Sequence, residues 1–317
     1  MFNIVRYTPE RKSEWDGYVK ASRNGTFLFQ RDYMDYHADR FDDCSLMFYK
    51  GKLLYALLPA HKKETTFCSH NGLTYGGLIM QAKVTAVQTQ HLFNELNNWL
   101  RKEGFRKVIY KPVPWIYHQV PSEEDLFALF WTCNARLSSR NIGTLIMLQQ
   151  PLSWRKDHRR RLNLAHQQGI TVNRSDDLEG FWQLLNQNLK QRFDAKPVHT
   201  LEEMQLLKAR FPREIVLYAA YLGEEMVGGI LFYETPQVLR GQYSATNDKG
   251  KQTGAMETIY EQVLKDYPSM RYLDFGTSTD GDHCQINEGL LDHKEAYGGR
   301  ALCFDTYEWD LEEERSK

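Results

Sequence analysis

SLMFYKGKLLYALLPA, residues 45–60, is two apolar runs joined at a glycine. Apolar runs separated by a short glycine-containing turn predict a β-hairpin, here turning at Gly51. The pattern returns as EIVLYAAYLGEEMVGGILFYE, residues 214–234, turning at Gly223. A helical segment with one tryptophan precedes each hairpin: Trp15 within residues 11–22, Trp182 within LEGFWQLLNQNL, residues 178–189. A strand-like run follows each, GLTYGGLIM (72–80) and QVLRGQYSAT (237–246). Next come amphipathic helices, TQHLFNELNNWLRKEG (89–104) and AMETIYEQVLKDY (255–267), and then the strands KVIYKPV (107–113) and RYLDFG (271–276). In the first of these helices Leu92, Phe93, Leu96 and Leu100 follow helical spacing.

This order, met twice, predicts an α+β chain of two similar lobes, each a mixed, mainly antiparallel sheet with flanking helices. The bland alternative is the ordinary alternation of helices and hairpins in any α+β protein. The expected domains are 1–150 and 151–317. The division falls in the polar stretch QQPLS, residues 149–153, where Ser153 can cap the next helix.

The bulk numbers narrow the function. The chain has 317 residues, 42% hydrophobic and 26% charged, with a net charge of −1, so it has room for two soluble domains and no global basic field. A polyanion must therefore be met by a local patch. No apolar run approaches the roughly 20 residues that span a bilayer. The start, MFNIVRYTPERKSEW, has no long apolar core of the signal-peptide kind. The cysteines Cys44, Cys68, Cys133, Cys284 and Cys303 are scattered and form no CxxC pair. A reduced, cytoplasmic protein without membrane insertion is the expectation. Dinucleotide, Walker A, HExxH and GxSxG signatures are all missing.

Four segments carry candidate chemistry. WRKDHRRRLNLAHQQ, residues 154–168, reads as a helix with Arg155, Lys156, Arg159, Arg160 and Arg161, either a solvated face or a clamp for phosphate or carboxylate. NDKGKQTGAMETIY, residues 247–260, leads through Lys251 and Gly254 into a helix near Ala255, whose free amides suit an anion; a plain loop is the alternative. In SHNGLTYGG, residues 69–77, the glycines would admit a ligand close to the backbone beside His70 and Tyr75, unless they mark a bulged strand. The richest segment is RYLDFGTSTDGDHCQINEGLLDHKEAYGG, residues 271–299. A strand ends at Asp274-Phe275-Gly276, a polar loop with Ser278 follows, and a short helix carries Lys294 up to Gly298 and Gly299 as its C-cap. Asp280, Asp282, His283 and Cys284 match no standard metal spacing, and neighbours such as His283 and Cys284 make a poor nucleophile pair, so no metal is expected.

The duplicated plan, RRRLNLAHQQG before a strand, the DFG ending a late strand and the terminal GLLDHKEAYGG together resemble the Fem-type branch of the GNAT superfamily. These are tandem-domain N-acyltransferases that include the Fem peptidyltransferases of cell-wall assembly. The likeness runs over essentially the whole chain. It implies transfer of an acyl or aminoacyl group from an activated ester or thioester to an anionic amine acceptor, possible as a cell-envelope precursor. Acyl-CoA or aminoacyl-tRNA would be the co-substrate, the tRNA meeting a local basic patch, with no tightly bound cofactor. Lys294 matches the lysine thought to stabilise charge on the donor ester or the tetrahedral intermediate. Arg159, with Arg160 beside it, matches the arginine that contacts the anionic substrate, although the residue four further on is Asn163 here. Lys251, Gly254 and Ala255 only approximate the pyrophosphate loop. The proton acceptor would be Asp274, a tyrosine such as Tyr243, or water. The alternatives are a GNAT-fold binding protein that has lost transfer and an acyl-CoA-dependent enzyme acting on a small amine.

Overall fold

Apolar runs and glycine turns fall where the hairpin pattern requires. The computed structural model describes residues 1–193, 196–280 and 285–311. The chain forms two compact units, one of Met1–Asn141 with the stretch from Cys303 onward, the other of Ile142–Leu302.

In the first unit β1 (Asn3–Arg6), β2 (Leu46–Lys50), β3 (Leu53–Leu58) and β4 (Ile79–Met80) form an antiparallel sheet in the order β1-β2-β3-β4. Gly51 turns the β2–β3 hairpin at φ +61°, a conformation that favours glycine. α1 (Lys12–Lys20) buries Trp15, and α2 (Ala86–Lys102) buries Leu92, Phe93, Leu96 and Leu100, the stripe its spacing predicts. β5 (Lys107–Tyr110) and α3 (Glu124–Trp131) follow. Of the glycine-rich stretch 72–80, only β4 is a strand.

The expected division at 150/151 shifts. The chain passes between units inside the long strand β6 (Arg136–Met147), and the closing residues pack with the first unit. Trp309 and Leu311 lie in the same core as Phe93 and Leu96. The Trp309 indole N–H donates to Asn97 at 3.0 Å. Burial of that indole, rather than proximity in sequence, assigns the last strand.

The second unit runs α4 (Lys156–Gln168), β7 (Thr171–Ser175), α5 (Leu178–Phe193), α6 (Leu201–Arg210), β8 (Ile215–Leu222), β9 (Glu225–Glu234), β10 (Val238–Thr246), α7 (Ala255–Asp266), β11 (Tyr272–Thr277) and α8 (Glu288–Ala296). Its sheet order is β7-β8-β9-β10-β11-β6, antiparallel except for the parallel pair β10–β11. Gly223 turns the β8–β9 hairpin at φ +61°. Successive residues of β9 point to opposite faces. A Cβ on Gly228 would meet Ala255 of α7, and one on Gly229 would meet Phe181 of α5, so the two helices cover opposite faces of this sheet. The α7 face is the apolar core, with Tyr218, Phe232, Leu239, Ile259 and Val263 buried. β12 (Arg300–Asp310) closes the chain. Among the described residues no helix is long and apolar enough to cross a membrane.

Candidate active site

The second unit's site begins where two strands part. β10 and β11 pair in parallel only at Val238↔Tyr272, Leu239↔Leu273 and Arg240↔Asp274, although β10 continues to Thr246 and β11 to Thr277. At the last pair an Arg240 Nη1–H donates to Asp274 Oδ2 at 2.6 Å. The other carboxylate oxygen accepts the Gly276 amide at 2.7 Å. Gly276 sits at φ +73°, inside the irregularity between Asp274 and Thr277 in the pairing of β11 with β6. That turn directs two successive carbonyls, of Gly276 and Thr277, at one point.

Lys294 occupies that point. It lies in the last turn of α8, whose N-cap Asn287 accepts the Leu290 amide at 3.0 Å. The side chain is buried, and its ammonium donates to the carbonyls of Thr277 at 2.6 Å and Gly276 at 3.1 Å. An ammonium has three N–H donors, so one remains without a partner among the described residues. Burial pushes the Lys294 pKa down to about 8; the Asp274 charge pulls it back up and Arg240 adds to the lowering. Two buried hydroxyls of this unit, Ser278 Oγ and Thr144 Oγ1, have no hydrogen-bond partner among the described residues. Polar groups in that condition mark sites where a ligand or water completes the set.

A cavity of about 650 Å³ opens beside α8 and the start of α7, lined by Arg161, Lys251, Glu257, Asn287, His293 and Tyr297 among others. Its wall holds a buried acid–histidine contact, His158 Nδ1 lying 2.8 Å from Glu257 Oε1. Burial raises the Glu257 pKa, but the His158 ring, a backbone amide and the Arg161 charge together hold the carboxyl below its usual range. Burial also lowers the pKa of His293 and raises that of Tyr297, whose ring packs on His158, Tyr260 and His293.

The predicted residues divide. Lys294, Asp274 and Gly276 come together, with Ser278 next along the chain. Asp274 is fully buried and both its oxygens accept hydrogen bonds, which suits holding the turn better than taking a proton. Tyr243 packs away from this cluster: its ring lies on Trp182 and its hydroxyl meets His199 Nδ1 at 2.6 Å. Arg159 and Arg160 are exposed, and the member of the basic run that lines the cavity is Arg161. Lys251 lines the cavity as well.

Gly254 and Ala255 lie at the start of α7, packed under α4. A Cβ on Gly254 would sit 2.4 Å from the Arg161 carbonyl, so α4 covers the turn, and Ala255 is buried. Glu257 places a carboxylate in the first turn of α7 where an anion would otherwise be favoured. His70 and Tyr75 lie inside the first unit. Tyr75 spends its hydroxyl on Thr26 Oγ1 at 3.2 Å, and His70 packs against His37, His61 and Phe41. Asp282, His283 and Cys284 lie outside the described residues. Among the described residues no cluster of His, Cys, Asp and Glu is arranged for a metal ion. Sequence reasoning missed Arg240, Glu257, His293 and Tyr297, and it named Arg161 only as one of the basic run.

Residues 153–294 match the Acetyltransferase (GNAT) domain family. No curated protein matches the chain by sequence. Among solved structures the chain is similar to FemX, with a TM-score of 0.68 at 11% identity over 97% of each chain. It is similar to L-PGS from Bacillus licheniformis, with a TM-score of 0.60 at 12% identity over 98% of this chain and 94% of that one. A tandem GNAT protein from the clavulanic acid biosynthesis pathway aligns with a TM-score of 0.53 at 10% identity over 99% of each chain.

Proposed function

We propose that this chain, which matches the Acetyltransferase (GNAT) domain family over residues 153–294 and shares its fold with FemX and a tandem GNAT protein, is an acyltransferase that moves an acyl or aminoacyl group from an activated ester or thioester to an amine. The acceptor nitrogen attacks the acyl carbon, a C–N bond forms, and the carbonyl oxygen takes up negative charge. Collapse breaks the C–O or C–S bond; the amine loses a proton and the leaving alcohol or thiol gains one.

One observation carries this reading. Lys294 is a buried ammonium fixed by two carbonyls, with its third N–H uncommitted. A fixed donor aimed at a developing oxyanion contributes about 3 kcal/mol. Ser278 Oγ, one residue beyond the Thr277 carbonyl and without a partner among the described residues, is proposed as a second donor. The Arg240–Asp274 pair holds the Gly276 turn and so positions the carbonyls that hold the lysine. Arg161 and Lys251 meet an anionic part of the donor at the mouth of the cavity. The Glu257 carboxylate in the first turn of α7 disfavours a donor gripped there by a diphosphate and so favours an aminoacyl ester, and the exposed Arg159 and Arg160 suit the tRNA that would carry it. The acceptor is an anionic amine, of the cell-envelope precursor kind that the resemblance in sequence implies.

The test supplies aminoacyl-tRNA, or acetyl-CoA in a parallel arm, with a pool of amine acceptors, and follows product by mass spectrometry. Wild type forms amide and Lys294→Met, folded by circular dichroism, does not. Full turnover by Lys294→Met removes the assignment.

A further inference from the structure

Among the described residues that line the cavity beside α8, Glu257 is the one acid. Its side chain is 4% exposed, so the carboxylate is buried where it meets the cavity. His158 Nδ1 at 2.8 Å and Arg161 Nη1 at 3.7 Å both approach the same oxygen, Oε1. Oε2 makes no ion pair among the described residues. An ionised carboxylate accepts hydrogen bonds at both oxygens, and a buried one left half used is costly. Oε2 therefore calls for a donor. Tyr297 adds a second incomplete group to the same wall: it is fully buried, and its hydroxyl has no hydrogen-bond partner among the described residues.

The competing charge is weaker here than the acid. Arg161 is 48% exposed, so solvent screens its guanidinium, whereas the Glu257 carboxylate is buried. Glu257 also stands in the first turn of α7, where it answers the free amides that would otherwise hold an anion. The cavity adjoins the fork at two places. Thr246, the last residue of β10, lines it. Asn287 lines it too, and its backbone N–H donates at 2.9 Å to the Ser278 carbonyl, one residue beyond the Thr277 carbonyl that holds Lys294.

We propose that Glu257 Oε2 and the Tyr297 hydroxyl bind an ammonium, and that the cavity thereby selects an acyl group bearing an α-ammonium, an aminoacyl group, over an uncharged acyl group of the same size. The ammonium donates one N–H to the carboxylate and another to the phenolic oxygen, and the first of these bonds, charge-assisted on both sides, is the stronger. An uncharged acyl group leaves the carboxylate oxygen unmet, which costs affinity. Assigning the ammonium to the donor rests on the transfer reading above; the ammonium site does not.

Calorimetric titration tests it with two stable amides of 3′-amino-3′-deoxyadenosine, the L-alanyl compound and its L-lactyl counterpart, in which a hydroxyl replaces the ammonium. Wild type is expected to bind the alanyl probe about tenfold tighter or more. Glu257→Gln, folded by circular dichroism, binds the two about equally, and Tyr297→Phe keeps a reduced preference. Equal affinities in wild type, no binding of either probe to wild type, or an unchanged preference in folded Glu257→Gln overturns the proposal; the last result would leave Glu257 as a packing partner of His158 only. The wild-type comparison decides the matter even where a variant does not fold. Failure of the transfer assay with the ammonium preference intact overturns the catalytic reading alone, and transfer without that preference overturns this proposal alone.

Discussion

The Lys294 ammonium lies 2.6 Å from the carbonyl oxygen of Thr277, inside a protein unit rather than on its surface. Removing it separates chemistry from stability. Lys294→Met is expected to lose transfer by about 10²–10³-fold while keeping its circular dichroism spectrum. Product formation within tenfold of wild type would contradict this.

The same lysine predicts a pH signature. Its folded pKa, about 8, lies below the 10.5 expected of the unfolded chain. Between those values the unfolded chain holds the proton and the folded one does not. The burial penalty is therefore full below pH 8 and is relieved as pH rises toward 10.5. Relative to Lys294→Met, wild type gains up to about 1.4 kcal/mol of stability per pH unit across that window. Urea midpoints of both proteins at pH 7.5 and 9.5 check it; a constant difference contradicts it.

Asp274→Ala leaves the Arg240 guanidinium, 12% exposed, without its 2.6 Å partner. Breaking a buried pair from one side costs about 3–5 kcal/mol. Denaturant unfolding measures it, and Arg240→Met added to Asp274→Met is expected to recover part of the loss.

Gly254→Ala puts a side chain at φ +79° and 2.4 Å from the Arg161 carbonyl. The backbone alone costs about 1–3 kcal/mol, and α4 must move as well. A melting temperature within a degree of wild type would show that α4 does not cover this turn.

Much of the frame is legible because it is written in local patterns. The Gly51 and Gly223 hairpins and the Leu92–Leu100 stripe need only neighbours in sequence. Lys294 is found because Asn287 and the Gly298 turn bracket a short helix. Arg240 has no such signal: its role comes from parallel register with Asp274, 34 residues away. The basic helix is readable as basic, but its phase is not. His158 and Ala165 take the buried face, which turns Arg159 to solvent and gives the cavity Arg161. Glu257 reads in sequence as a favourable first-turn acid, and only the fold sets it against His158.

In the first unit His61 and His70 are held neutral by burial, with pKa values lowered to about 4 and about 2. An unfolded histidine protonates near 6.5. Stability is therefore present above that value and lost as pH falls from 6.5 toward 4, each ring contributing up to about 1.4 kcal/mol per unit. His70→Asn keeps the φ +53° backbone tolerable, since asparagine favours it, and is expected to flatten the acid limb. Denaturant midpoints at pH 6.5 and 4.5 read the slope; an unchanged slope contradicts the assignment.

The parallel join of β10 and β11 ties the reaction centre to the order of synthesis. Strands of that kind meet only after an intervening helix has crossed between them, here α7. A nascent chain that stops before Thr277 has no carbonyls to present, and one that stops before α8 has no ammonium to hold. Competence for the proposed transfer thus waits until both β11 and α8 have been made, however early the hairpins ahead of them fold.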